Sequence, residues 1–184
     1  RSHSLASPLS LADDAYLVIE AADRKRPHVR IDGGELQITG NHPGSELTLS
    51  GLLIEGALHA TGELQRLRLL HSTLVPGRAL REDGAAASAL PSVTVEATDP
   101  GGAPINGAFR LQVAFGITGP LRVPHDADSV VLLDSIVDGL GGSAIAATGS
   151  DDQPAAPGTL ERVTVLGRSC FRKVVLGSEV VFTG

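Results

Sequence analysis

Large aromatic side chains are scarce in this sequence, and methionine and tryptophan are absent. Aromatic residues make up 3% of the 184 residues, although 42% of the residues are apolar. Cores of ordinary globular domains rely on bulky rings for much of their buried surface. Valine, isoleucine, leucine and alanine instead suit a narrow interior in which each layer repeats the previous one.

Three further scarcities narrow the classes of protein. Cys170 is the only cysteine, so an intrachain disulfide is excluded, and the cytoplasm and the extracellular space both stay open. No apolar run reaches the length of about 18 residues that a membrane-spanning helix requires. A net charge of -6 argues against nucleic acid as a partner.

A ten-residue pattern recurs along the chain and is clearest at residues 130–139. Val130 and Leu132 lie on one side of a strand with period two, Asp134-Ser135 forms a bend, and Ile136-Val137 begins a second strand. Further copies of the pattern occupy residues 47–56, 67–76, 111–118 and 174–181, with a half copy at 163–167.

The spacing of the copies indicates a solenoid. They start at residues 47, 67, 111, 130, 163 and 174, with steps of 20, 44, 19, 33 and 11 residues. About 20 residues form one coil of short strands in a β-solenoid. We interpret the 44-residue step as two coils, with Val93-Thr94-Val95 in the missing one, and the 33-residue step as a coil with an insertion. The 11-residue step fits no full coil.

The predicted fold is all-β, a right-handed parallel β-helix with about 20 residues and three short strands per coil, in about seven to eight coils. It spans residues 16–184, with loops at 78–91, 98–107 and 148–158. Residues 1–15 form a separate segment: residues 5–15, interpreted as a short helical turn or a loop, cover the first coil, and residues 1–4 resemble a vector remnant. The predicted core comprises Leu47, Leu49, Ile54, Leu67, Leu69, Leu74, Val130, Leu132, Val137, Val163, Val165, Val174 and Leu176.

The repeats at 47–56, 67–77, 130–139 and 178–184 resemble the right-handed parallel β-helix superfamily, which includes pectate lyases, polygalacturonases and phage tailspikes. Residues 45–54, 70–77 and 134–138 also look like β-helical segments of uncharacterised bacterial proteins, some of which accompany phage-tail-like assemblies. Many enzymes of the superfamily stack asparagine at one bend, whereas this sequence has only two asparagines. The predicted bends use Gly51, Ser72, Gly116, Ser135 and Ser178.

Residues 25–30 are faintly similar to a pectate lyase motif in which an arginine acts as base and Ca²⁺ acidifies the sugar proton. The first position of the motif is Lys25 instead of arginine, and no acidic cluster with calcium spacing lies nearby. A solvated, charged bend is therefore the favoured interpretation.

Asp151 and Asp152 are the weak candidates for catalysis. Inverting glycosidases of this fold use several aspartates in one patch, with water between them. The other aspartates considered for such a patch are Asp126, Asp128, Asp134 and Asp138. The Gly-His-Gly and Arg-x-Lys signatures of those enzymes are missing, and Asp151-Asp152 lies in a loop rich in glycine, serine and proline. We therefore expect solvated acids and predict no catalytic residues.

No cofactor or metal site is predicted. The six histidines show no metal-ligand spacing, and no P-loop or dinucleotide fingerprint occurs. Arg168 near Cys170 could activate a thiol, but a small buried cysteine is the commoner case.

The function expected from these observations is a non-enzymatic structural or interaction module, a fragment of a larger bacterial protein, with a phage-tail-like assembly as one context. The alternative is a protein that binds or degrades polysaccharide. Expected partners are other segments of the assembly, a glycan, or a second copy. Self-association would use the C-terminal coil, because residues 180–184 are apolar and lack a polar cap.

Overall fold

The described part of the chain is built from strands. The computed structural model describes residues 2–5, 8–76, 80–84, 87 and 90–183. None of these residues lies in a helix, so the described segments include no helix able to cross a membrane. The strands are β1 (Ser2–Leu5), β2 (Leu9–Leu11), β3 (Tyr16–Glu20), β4 (His28–Gly40), β5 (Glu46–Ser50), β6 (Leu53–Ala60), β7 (Arg66–Leu70), β8 (Thr73–Val75), β9 (Val93–Val95), β10 (Arg110–Ala114), β11 (Ile117–Thr118), β12 (Leu121–Arg122), β13 (Ser129–Ala146), β14 (Gly158–Ser169) and β15 (Val174–Thr183).

These strands pair in parallel and form three ladders. Ladder 1 contains β3, β5, β7, β10 and the beginnings of β13, β14 and β15. Ladder 2 contains β1, the beginnings of β4 and β6, then β8, β11, the middle of β13 and β14, and the end of β15. Ladder 3 contains β2, the ends of β4 and β6, β9, β12, and the ends of β13 and β14. The architecture is all-β and parallel, as the sequence predicts, and is consistent with a β-solenoid.

The core consists of aliphatic columns that run through successive coils. In ladder 1, Leu49 lies opposite Leu69, which lies opposite Val113, and Leu132 and Leu160 continue the column. All five side chains are at most 2% exposed. Burying one such side chain contributes roughly 1.5–3 kcal/mol, so these columns are a major source of stability.

Eleven of the thirteen predicted core residues are buried, and two are not. Val174 and Leu176 in β15 are 52% and 50% exposed. A register shift between β14 and β15 places Leu176 opposite Thr159, a position that points outward in the neighbouring coils. Gly177, and not Leu176, therefore lies opposite the buried Leu160. No described strand pairs with the other edge of β15, so Val174 has no layer above it.

The pairings correct the interpretation of the 44-residue step and account for the 11-residue step. β7 pairs directly with β10, so the 44-residue step is a single long coil, and β9 is its ladder 3 strand. Val163 pairs with Ser135 at the start of ladder 2, whereas the coil itself begins at Gly158, which pairs with Val130. The 11-residue step therefore joins positions in different ladders.

The long coils accommodate the predicted loops. Residues 98–107 leave the ladders in a tight turn in which Asp99 Oδ1 accepts hydrogen bonds from the amides of Gly101 and Ala103, each at 2.8 Å. Asn106 closes this loop: its Oδ1 accepts from the Leu64 amide at 2.8 Å, and its Nδ2 donates to two carbonyl groups. Residues 148–157 form a second loop. The loop predicted at 78–91 lies partly outside the described residues.

The first fifteen residues contain strands, not the predicted helical turn or loop. β1 pairs with the beginning of β4 in ladder 2, and β2 pairs with the end of β4 in ladder 3. Leu11 is 3% exposed and belongs to the core. Alternation of leucine with serine in residues 9–11, and serine at every second position of residues 2–5, suits such strands.

The corner between ladders 1 and 2, which we call the first corner, has the same backbone conformation in six coils. One residue at each turn is left-handed, namely Gly51, His71, Phe115, Asp134, Arg162 and Glu179, with φ between 46° and 72°. The next residue points inward: Ser135 Oγ accepts a hydrogen bond from the Gly116 amide at 3.2 Å and donates to the Leu133 carbonyl at 2.6 Å. The predicted bends thus lie at this corner, with the left-handed residue at most one position away from each.

Candidate functional site

The two weak candidates, Asp151 and Asp152, are both held by arginines. Asp151 Oδ1 lies 2.7 Å from Arg122 Nη2, in the loop that precedes β14. Asp152 Oδ1 accepts a hydrogen bond of 2.6 Å from Arg168 Nη2, which also donates to the Asp151 carbonyl. Each carboxylate therefore has a cation as its nearest partner.

Arg122 fixes this loop to ladder 3. Its side chain is 12% exposed, and its guanidinium also donates to the carbonyls of Leu121 and Ser143. An open depression of about 670 Å³ lies beside Asp151. It is lined by Asp138, Asp151 and Arg168 together with glycines of β13 and β14. Asp152 pairs with Arg168, and this contact raises the pKa of the guanidinium.

The other four aspartates do not gather in one patch. Asp128 precedes ladder 1 and pairs with Arg110 at 2.8 Å, whereas Asp134 lies at the first corner. Six residues of extended chain span roughly 20 Å at about 3.3 Å per residue, so these two carboxylates lie far apart. Asp138 Oδ1 accepts from the Leu140 amide at 2.8 Å, and Asp126 lies 3.7 Å from Arg172.

Asp134 forms the most complete ion pair of the surface. Arg162 donates from Nε to Asp134 Oδ1 at 2.6 Å and from Nη2 to Oδ2 at 2.9 Å, which is the bidentate geometry of a strong pair. These hydrogen bonds lower the pKa of the Asp134 carboxyl. Both residues belong to the first corner, one coil apart, so the pair connects successive coils.

The segment at 25–30 includes the end of the corner between β3 and β4 and the first residues of β4, and its polar side chains contact later coils. Lys25 and Arg26 are exposed, and Arg26 Nη2 donates to Thr73 Oγ1 at 3.4 Å. His28 Nε2 lies 2.9 Å from Glu55 Oε2 in ladder 2. Among the described residues, no group of three or more histidine, cysteine, aspartate and glutamate side chains is arranged to hold a metal ion.

One cluster was not singled out from the sequence: His59 lies between Glu35 and Glu96. His59 Nδ1 is 3.1 Å from Glu35 Oε1, and His59 Nε2 is 2.6 Å from Glu96 Oε1. Both ring nitrogens can donate only when the imidazole is protonated. Burial lowers the pKa of His59, but the hydrogen bonds to Glu96 and Glu35 outweigh this effect and raise the pKa above its ordinary value.

The sequence indicates that His59 points outward, but it does not indicate that Glu35 and Glu96 contact it. His59 is an outward position of β6, as period two within Ala57-Leu58-His59-Ala60 indicates. Glu35 and Glu96 are 24 and 37 residues away, in the preceding and following coils. Only the register of ladder 3 shows that the three side chains meet. The cluster connects three coils and can bind a proton.

Two further histidines and Cys170 have contacts that connect parts of the fold. His71 stacks on Phe115 with ring centroids 4.8 Å apart, and His42 Nδ1 lies 2.8 Å from Asp14 Oδ1. Cys170 is half-buried, and its backbone connects two coils through the Ile145 carbonyl and the Ala155 amide. Arg168, two residues before Cys170, interacts electrostatically with it.

Comparison with known proteins finds no family model, no curated protein and no solved structure that matches this chain.

Proposed function

We propose that the chain is a right-handed parallel β-helix that serves as a non-enzymatic structural or interaction module of a larger bacterial, phage-tail-like assembly. Three parallel ladders support the fold, and crossovers between parallel strands of one sheet are right-handed in about 98% of cases. The resemblance of the repeats to β-helical segments of bacterial proteins supports the context.

The observation that carries the proposal is that the candidate aspartates form ion pairs with arginines. Asp151 and Asp152 each bind an arginine at 2.7 and 2.6 Å, and Asp134 binds Arg162. An inverting glycosidase needs two carboxyl groups about 6.5–9.5 Å apart, with a water between them and one carboxyl protonated. The hydrogen bonds from Arg162 lower the pKa of the Asp134 carboxyl and so favour its ionised form. These contacts favour a role in joining coils and loops.

A screen of acidic and neutral polysaccharides tests this proposal. We expect no release of reducing ends or of unsaturated products above the level of a buffer blank. Turnover that is lost in both Asp151→Asn and Asp152→Asn, but retained in Asp126→Asn, would contradict it. The last variant is the matched control because Asp126 lies on the surface at 3.7 Å from Arg172.

A glycan-binding function is the second candidate, and one observation favours it. The loops at 98–107 and 148–157 together line a depression of about 230 Å³ that also contains His125. Pockets for drug-sized ligands usually measure about 300–1,000 Å³, so only a small part of a glycan would fit. Saturable binding in a glycan array, weakened by His125→Ala, would establish this function without turnover.

The interaction surface that we propose is β15. Its outer edge pairs with no described strand, and several of its apolar side chains are about half exposed. These are Val174, Val175, Leu176, Val181 and Phe182. An unpaired edge with apolar neighbours is a template for another strand. We propose that β15 contacts a further protein segment, such as the same surface of a second copy.

Light scattering at increasing protein concentration tests this surface. We expect a larger species that Phe182→Glu shifts back to the monomer, whereas Tyr16→Glu, at an equally exposed residue of β3, leaves it unchanged. A monomer at all concentrations, with slow amide exchange throughout residues 174–182, would show that β15 needs no partner.

A further inference from the structure

The interior of the first coils contains a cavity. Its volume is about 410 Å³, and side chains of β1, β3, β4, β5 and β6 line it. The walls include Ile19, Ile31, Leu36, Leu49, Ile54 and Leu58. Five of these six residues are at most 2% exposed and belong to the core, whereas Ala22 and Lys25 are exposed, so the cavity opens to solvent on their side.

The size and lining of this cavity suit an apolar ligand. Cavities lined by aliphatic side chains stay free of water, and one of only about 150 Å³ in another protein binds benzene. Binding sites for small molecules typically occupy about 300–1,000 Å³ and combine an apolar lining with a few polar groups. The cavity falls within that range.

The polar groups stand at one side, where the chain turns from β3 to β4. A second depression shares His3, Lys25 and Pro27 with the cavity and adds Arg26. No acidic side chain among the described residues forms an ion pair with Lys25, which is exposed. Glu20 is the one acidic residue that lines the cavity, so Lys25 and Arg26 outnumber it.

We propose that this cavity binds a free medium-chain fatty acid, with the alkyl chain among the core leucines and isoleucines and the carboxylate at Lys25 and Arg26. The apolar lining selects the chain, and the adjoining cations select the sign of the head group. The proposal is independent of the function proposed for the acidic residues and for β15.

Calorimetric titration of the full chain with decanoate, below its micellar concentration, tests this site. We expect saturable binding of one decanoate per chain. Decyltrimethylammonium, which has the same alkyl chain and the opposite charge, should bind at least about fivefold more weakly, because Lys25 and Arg26 repel its head group and attract that of decanoate.

Two variants locate the ligand. Lys25→Glu should weaken decanoate binding by about two- to thirtyfold, since it removes one charge pair and adds a repulsion. Lys173→Glu is the matched control: it changes the only other lysine, which is exposed and precedes β15, and should leave the affinity within about twofold. Ala22→Phe should abolish binding, because Ala22 lines the cavity and is exposed, so that a ring there fills the entrance without disturbing the core.

Several results would overturn the proposal. They are absence of saturable decanoate binding, equal affinity for the two surfactants, equal losses in Lys25→Glu and Lys173→Glu, and unchanged binding in Ala22→Phe with its unfolding transition intact. A dimer that excludes decanoate would also overturn it and would assign the cavity to a second copy.

Discussion

Two segments with nearly the same sequence have opposite environments in this molecule. Val130-Val131-Leu132 begins β13, and Val174-Val175-Leu176 begins β15. Leu132 is fully buried, whereas Leu176 is 50% exposed. Both leucines occupy the third position of the same repeated pattern, so the pattern alone does not decide which is buried.

The difference arises from the layers on either side. Leu132 lies opposite Val113 in one neighbouring coil and opposite Leu160 in the other. Leu176 lies opposite Thr159, and no described strand covers its other side. In a stack of this kind a side chain is buried by the adjacent coils, and a shift of one residue in register transfers it to the outer surface.

The largest effect that tests this comparison is expected from aspartate at the two leucines. Leu132→Asp should unfold the protein, because an unpaired buried charge costs several kcal/mol, and a whole domain is stable by only about 5–15 kcal/mol. Leu176→Asp should change the free energy of unfolding by less than about 0.5 kcal/mol. Urea unfolding followed by circular dichroism measures both. Equal destabilisation by the two variants would show that β15 is covered in solution.

A smaller effect is expected at the serines of the first corner. Ser135 is 3% exposed, and its hydroxyl bonds to Gly116 and Leu133, whereas Ser178 in β15 is exposed. Ser135→Ala leaves the Gly116 amide unsatisfied and should cost about 1–3 kcal/mol. Ser178→Ala should be close to neutral. The same urea titration measures the change in the free energy of unfolding for both variants. No change in Ser135→Ala would mean that water replaces the hydroxyl as the partner of the Gly116 amide.

Period-two patterns made much of this fold predictable from the sequence. Alternation identified the strands and the buried faces at Leu47, Leu67 and Val130, because each lies between two coils of the same kind. The prediction that Val174 and Leu176 are buried was wrong. Their burial depends on the register of β15 against β14 and on a further strand at the other edge of β15, where no described strand lies. Local sequence indicates neither of these. The 44-residue coil was misread because a loop can lengthen a coil without changing the pairing of its strands.

The contacts of the candidate site were less predictable. That Asp151 and Asp152 lie in a loop is visible from the surrounding glycine, serine and proline, but their partners Arg122 and Arg168 are 16 or more residues away. The His59 cluster likewise joins residues of three coils. Such contacts depend on which residues become neighbours between coils, and the variable coil lengths hide that register.

The two loop aspartates should differ only slightly from each other. Asp151→Asn weakens the contact to Arg122, whose side chain is only 12% exposed, and should lower the free energy of unfolding by up to about 1 kcal/mol. Asp152→Asn affects an exposed pair with Arg168 and should produce no measurable change. Urea unfolding at low and high salt is the measurement. A larger loss for Asp152→Asn would reverse the order of the two contacts.

The last prediction concerns the His59 cluster, in which His59 of β6 contacts Glu35 of β4 and Glu96, the residue that follows β9. Because the pKa of His59 is raised in the folded protein, its contribution to stability is fully present below the ordinary pKa of about 6.5. That contribution is lost as pH rises through the folded-state pKa. The free energy of unfolding of the wild type, relative to His59→Gln, should therefore fall as the pH rises above the ordinary pKa of about 6.5.

His125→Gln is the control for this dependence on pH, since His125 is a more exposed histidine that contacts the Pro154 carbonyl. It should retain the pH dependence of the wild type, whereas Glu96→Gln should lose most of it. NMR titration of the His59 ring gives the pKa directly, and Glu96→Gln should lower that pKa because it removes the stronger of the two hydrogen bonds. A titration midpoint of His59 at or below about 6.5 would show that the effect of burial on its pKa outweighs that of the two glutamates. The His59 cluster would then be a contact of a neutral imidazole.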